Sequence, residues 1–133
     1  CVAGIVAGLL LAGILVEPGN YGQTTGSLTA DNVWNAALLE VVLTFFLVST
    51  IYQAAVYGKA GNLAGVAIGF TLAGSILAGG VFSGASLNPA RTLGPAVAAG
   101  DFSYLLPYIV GTVGGGLIAG ILHGYVLKPD TSE

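Results

Sequence analysis

The feature that most constrains this chain is the length of its uncharged runs. Leu63 to Phe82 and Tyr104 to Leu127 carry no charge, and Val33 to Tyr57 carries only Glu40. A helix rises about 1.5 Å per residue, so roughly 20 apolar residues cross a hydrocarbon core of roughly 30 Å. Each of the three runs reaches that length, which predicts an all-α membrane protein. Composition agrees: 55% of the 133 residues are hydrophobic and 7% charged, against about a quarter charged in soluble domains.

The charged side chains are Glu17, Asp31, Glu40, Lys59, Arg91, Asp101, Lys128, Asp130 and Glu133. They sum to a net charge of −3 and form no basic stripe of the kind that neutralises phosphates, so nucleic acid is excluded as a partner. Cys1 has no second cysteine to pair with and His123 is the only histidine, which leaves no metal or redox centre and implies no cofactor. The same scarcity leaves no nucleophile, base and acid to assemble, so the chain does not read as an enzyme.

The predicted organisation is a first apolar segment over 1–16, spans at 33–57, 61–82 and 104–127, and a broken apolar stretch at 83–100. The first segment falls short of a full crossing and has no basic region before it, so it reads as the end of a helix that begins upstream and the chain as a fragment. Glu17-Pro18-Gly19 ends it, Asn20 to Asn32 reads as a polar loop, and Lys128-Pro129-Asp130 ends the last span. Lys59 and Lys128 fall on one side and Glu17, Asp31 and Asp101 on the other, which puts the C-terminus in the cytoplasm. Glycines four apart (Gly4 and Gly8, Gly65 and Gly69, Gly111 and Gly115, Gly116 and Gly120, Gly120 and Gly124) read as sites of close helix packing.

Residues 83–100 are too interrupted by Pro89, Pro95 and glycines to span. Non-helical backbone at membrane depth survives only against protein or a water-filled cavity, so this is a re-entrant element and the place to seek function. Asn88 is a favoured N-cap and Pro89 a favoured first helical residue, predicting a short helix to about Val97 with its positive end inside the membrane. With its oxygen held by backbone amides, Asn88 would present its NH₂ as a fixed donor, orient a passing water and break a proton-conducting chain. Arg91 keeps its proton at any depth. It either faces a pore or pairs with Glu40, whose carboxylate could instead accept loop amides; the reading favoured is Arg91 on the pore and Glu40 supporting the loop.

The segment Gly84-Ala85-Ser86-Leu87-Asn88-Pro89-Ala90-Arg91-Thr92-Leu93-Gly94-Pro95 resembles the second signature loop of the aquaporin and glycerol-facilitator family, and is most similar to archaeal members. A bare Asn-Pro-Ala is weak; with Arg91, Gly84, Gly94-Pro95 and flanking spans the match is specific and extends over the chain, as the second half of an inverted repeat. The resemblance implies that Asn88, Pro89 and Ala90 form the second of two paired pore motifs, the first lying in a missing N-terminal half. It places Arg91, Ala85 and Ile76 at a selectivity filter, whose fourth position lies in that half. It also implies that the carbonyls of Gly84, Ala85, Ser86 and Leu87 line the water path and that Glu40 stands at the family's acidic position in the fourth helix.

Strict water channels of the family carry histidine at the Ile76 position, and glycerol facilitators carry glycine there and aspartate at the Thr92 position. This chain matches neither class. The resemblance thus implies a passive water channel that also passes small neutral solutes such as glycerol, excludes ions and protons, and works as a homotetramer in the lipid of the cell membrane. The alternatives are a glycerol-type facilitator, a secondary transporter binding an anionic substrate at Arg91, and a non-conducting interaction fragment. His123 reads as a packed residue rather than a gate.

Overall fold

A computed structural model describes residues 1–14 and 21–128. The expected stop signals at Glu17-Pro18-Gly19 and Pro129-Asp130 lie outside the described residues. Within them the chain is helical: α1 (Val2–Ile14), α2 (Ser27–Asp31), α3 (Val33–Ile51), α4 (Ala64–Ser83), α5 (Pro89–Ala99) and α6 (Leu105–Ile121). Helices α3 and α6 each continue through a π-helical turn, Tyr52–Val56 and Leu122–Val126, and a 3₁₀ turn, Gly61–Leu63, leads into α4. With these extensions, Val33–Val56, Gly61–Ser83 and Leu105–Val126 are long and apolar enough to cross a membrane.

Local chemistry sets the boundaries. Asn32 is extended and its side chain accepts from the Trp34 N–H, capping α3. Helix α4 ends on Gly84, whose φ of 77° suits a residue without Cβ. Pro89 opens α5 at the position where a missing N–H costs nothing, and Gly100, again left-handed, closes it. One expectation needs correction: the polar stretch after Asn20 is not all loop. Ser27–Asp31 forms a helical turn, because the Thr29 hydroxyl accepts the Gly26 N–H and the Asn32 N–H closes on the Leu28 carbonyl.

Helix α3 is the hub, packing on α6 along one side and on α4 along another, while α1 lies against α5. Two of the glycine pairs make these approaches possible. A Cβ on Gly111 would stand 2.4 Å from the Ala37 carbonyl oxygen, and one on Gly115 would stand 2.3 Å from that of Val41. Gly4, Gly8 and Gly94 interlock in the same way: a Cβ on Gly94 would meet the Gly4 oxygen at 2.1 Å. Gly65 and Gly69 face open space, as does Gly124, so spacing alone overstates the packing there. At one end of the bundle the buried His123 ring stacks on Tyr52 at 5.3 Å, its Nδ1 lies 3.3 Å from the Gln53 amide, and Tyr57 donates to the His123 carbonyl.

Candidate functional site

The segment from Gly84 to Leu87 does not follow ordinary backbone. Gly84, Ala85 and Leu87 have φ of 77°, 44° and 52°, and left-handed geometry at a residue with a Cβ costs roughly 1–2 kcal/mol. The compensation is visible in the amides. Successive N–H groups in such a conformation converge on one side and form a cradle for an anion, and the anion here is Glu40, fully buried on α3. Its Oε1 accepts from the Ser86 N–H at 2.8 Å and the Ser83 hydroxyl at 2.7 Å, and its Oε2 accepts from the Leu87 N–H at 2.8 Å. The Ala85 N–H donates to the Ser83 Oγ at 3.2 Å and the Asn88 N–H to the Ser86 Oγ at 3.4 Å.

Four consecutive amides are therefore engaged: two bond Glu40, that of Ala85 bonds the Ser83 hydroxyl that itself donates to Glu40, and that of Asn88 bonds the Ser86 Oγ. A trans peptide holds its N–H and C=O in opposite directions, and the described chain has no cis peptide. The carbonyls of Gly84, Ala85, Ser86 and Leu87 share those four peptide planes, so they are turned away from the donors' partners. No hydrogen bond among the described residues ends on any of the four oxygens.

The chain then enters α5. The Asn88 Oδ1 accepts from the Ala90 N–H at 2.9 Å, which leaves its NH₂ as the outward donor. Pro89 and Ala90 form the first turn, and the Asn88 carbonyl accepts from the N–H groups of Arg91 and Thr92. Arg91 does not pair with Glu40. Its side chain is exposed, and its guanidinium donates to the Gly22 carbonyl at 2.5 Å.

Ile76, from the middle of α4, meets these residues across a groove of about 270 Å³ lined by Leu47, Leu72, Ile76, Ala85, Ser86, Leu87, Asn88 and Arg91. Its polar lining is the backbone of the re-entrant segment with Asn88 and Arg91, and its apolar lining is the hydrocarbon of Leu47, Leu72 and Ile76.

Leu47 and Leu72 are wall residues that sequence reasoning did not single out. It also missed a set of buried hydroxyls. Tyr108 on α6 donates to the Ser83 carbonyl at 2.7 Å and shares a hydrogen bond with Thr29 at 2.6 Å, while Thr92 lies 2.5 Å from Ser86 and 2.9 Å from Thr24. A usable signal was present: Ser86 and Thr92 flank Asn88 inside the re-entrant motif, where a hydroxyl at membrane depth needs a partner.

The site is thus a half-helix that starts inside an apolar bundle, capped by asparagine and reached through a backbone anchored to a buried carboxylate. The chain belongs to the major intrinsic protein family, which it matches over residues 1–123. It is an integral, multi-pass membrane protein. Among its relatives, Probable aquaporin TIP2-2 of Arabidopsis thaliana is 43% identical over 129 residues, covering 95% of this chain and 51% of the relative. Aquaporin TIP1-1 of Zea mays is 41% identical over 131 residues, 95% of this chain and 52% of the relative. Aquaporin TIP2-1 of Zea mays is 51% identical over 92 residues, 67% of this chain and 37% of the relative. The chain spans about half the length of the first two of these relatives. These relatives are plant proteins.

Proposed function

We propose that this chain supplies one wall and one half-helix of a passive water channel, a function of transport and not of catalysis. The observation that carries the reading is the groove that Ile76, Ala85, Asn88 and Arg91 share. Water entering it meets the acceptor carbonyls of Gly84 to Leu87 and then the Asn88 donor. The positive end of α5, about half a unit of charge, repels cations, and Arg91 adds a full one. A water that must accept from Asn88 cannot also pass a proton through that bond. The aquaporin names of the relatives support the same function.

In this reading Asn88, Pro89 and Ala90 form the pore motif, Arg91, Ala85 and Ile76 the filter, and Glu40 the support of the loop. The other half of the repeat closes the pore, four such units assemble as a homotetramer in lipid, and the channel sits in the cell membrane with Lys59 and Lys128 toward the cytoplasm. The apolar wall of Leu47, Leu72 and Ile76 favours a second cargo: a polyol such as glycerol can lay its hydroxyls on the carbonyls and its carbons on that wall.

Stopped-flow light scattering of proteoliposomes containing the full-length protein tests both. Fast shrinkage in sucrose with a low activation energy is expected, followed in glycerol by reswelling slower than water flux. Lipid-like rates from folded protein would remove the channel reading, and saturable flux would replace it with an alternating-access carrier that binds an anionic substrate at Arg91.

A further inference from the structure

The outer segment 22–26 touches the re-entrant element at several separate points. The Gly22 carbonyl accepts from Arg91, and the Thr24 hydroxyl meets that of Thr92. The backbone of Thr24 and Thr25 lies so close to Gly84 that a Cβ there would stand 2.6 Å from the Thr25 nitrogen, and a Cβ on Gly26 would stand 2.5 Å from the Phe82 carbonyl. Thr24 and Thr92 are both fully buried.

The hydroxyl chain has a direction. Ser86 Oγ donates to the Asn88 carbonyl at 2.8 Å. A hydroxyl has one proton, so in the Ser86–Thr92 contact Thr92 is the donor, and in the Thr92–Thr24 contact Thr24 is. The protons run from Thr24 to Thr92 to Ser86 and end on the Asn88 carbonyl, which also receives the N–H groups of Arg91 and Thr92. Thr92 stands next to Arg91, whose guanidinium is tied to Gly22, two residues before Thr24. The segment thus holds Arg91 by its tip and by its immediate neighbour.

We propose that Thr24 and Thr92 are positioning residues for the constriction: their buried hydroxyls clamp segment 22–26 to the half-helix and set where the Arg91 guanidinium stands, and through it the discrimination between water and small polyols. This rests on the channel reading for its consequence in flux, but the position of Arg91 is testable without it.

The experiment uses the full-length protein as wild type, Thr24→Val, Thr92→Val, Thr24→Ser and Thr92→Ser, with two readouts. The first is the rate at which phenylglyoxal modifies Arg91, followed by mass spectrometry of its peptide. The second is the ratio of glycerol to water permeability in proteoliposomes. Thr24→Val loses one buried hydrogen bond and should change each roughly five-fold; Thr92→Val loses two, to Thr24 and to Ser86, and should change each by at least as much, and the serine variants should restore wild-type values.

A wild type that conducts no water would sink the channel reading while the labelling rates still decide the clamp. Folded valine variants with wild-type labelling would overturn the proposal. So would valine variants that fail to fold beside normal serine variants, because the hydroxyls would then serve stability alone.

Discussion

Glu40 holds three donors with one carboxylate: the Ser83 hydroxyl and the Ser86 and Leu87 amides. Glu40→Gln keeps an oxygen for Ser83 and Ser86 but turns an NH₂ toward the Leu87 N–H, leaving two donors face to face in a buried site. The expected cost is about 1–3 kcal/mol, read as a lower unfolding midpoint in detergent, together with reduced water flux; an unchanged midpoint would count against the anchoring role. Arg91→Ala should leave water flux near wild type and weaken exclusion of cations or protons, measured with a pH-sensitive dye inside vesicles; intact exclusion would remove Arg91 from the filter. At this scale the rare residues were legible. Glu40 and Arg91 stood out because a charge at depth is expensive, and Asn88-Pro89 because cap and first-turn preferences are strong. Thr24, Ser83 and Tyr108 were not, since hydroxyls are common in loops and in apolar helices alike, and no spacing rule marks the one that turns inward.

Among the elements, the contact between α1 and α5 is the tightest. Gly94→Ala would drive a methyl into the Gly4 carbonyl, 2.1 Å from where its Cβ must stand, and should cost about 1–3 kcal/mol or more as overpacking. Gly124→Ala meets nothing within 4 Å and should stay within about 0.5 kcal/mol. Paired thermal unfolding curves of the two variants check this, and equal midpoints would contradict the interlock. The spans were readable from uncharged length, because lipid demands it. Helix α2 was not, because Gly, Thr, Ser and Asn mark turns as readily as they mark caps. The π-helical turns after Ile51 and Ile121 have no sequence signature. They appear where Tyr52, Gln53, Tyr57 and His123 pack together.

For the molecule as a whole, the acid response should begin outside the membrane. The Ser103 N–H and hydroxyl, and then the Gln23 amide, hold the Asp101 carboxyl below its ordinary 3.8. A depressed carboxyl contributes stability that is present above its unfolded value and is lost as pH falls through its folded one. Stability should therefore fall below about pH 4, first at the turn into α6, and Asp101→Asn should flatten that part of the profile. Hydrogen exchange at Ser103 to Leu106 across pH 3 to 5 checks it, and an identical profile in the variant would refute it.

The four carbonyls turned from Glu40 carry a consequence for how such a molecule can change over generations. A side chain can be replaced by a single codon change, but a backbone oxygen is present whatever residue is encoded. Substitutions at Ala85, Leu47, Leu72 or Ile76 can widen, narrow or grease the groove, while the row of backbone oxygens is inherited intact. A change at the buried carboxylate, which does not line the groove, reaches that row through the Ser83, Ser86 and Leu87 donors it holds. The side chains of the groove are thus free to drift, while the residue that anchors its backbone is pinned.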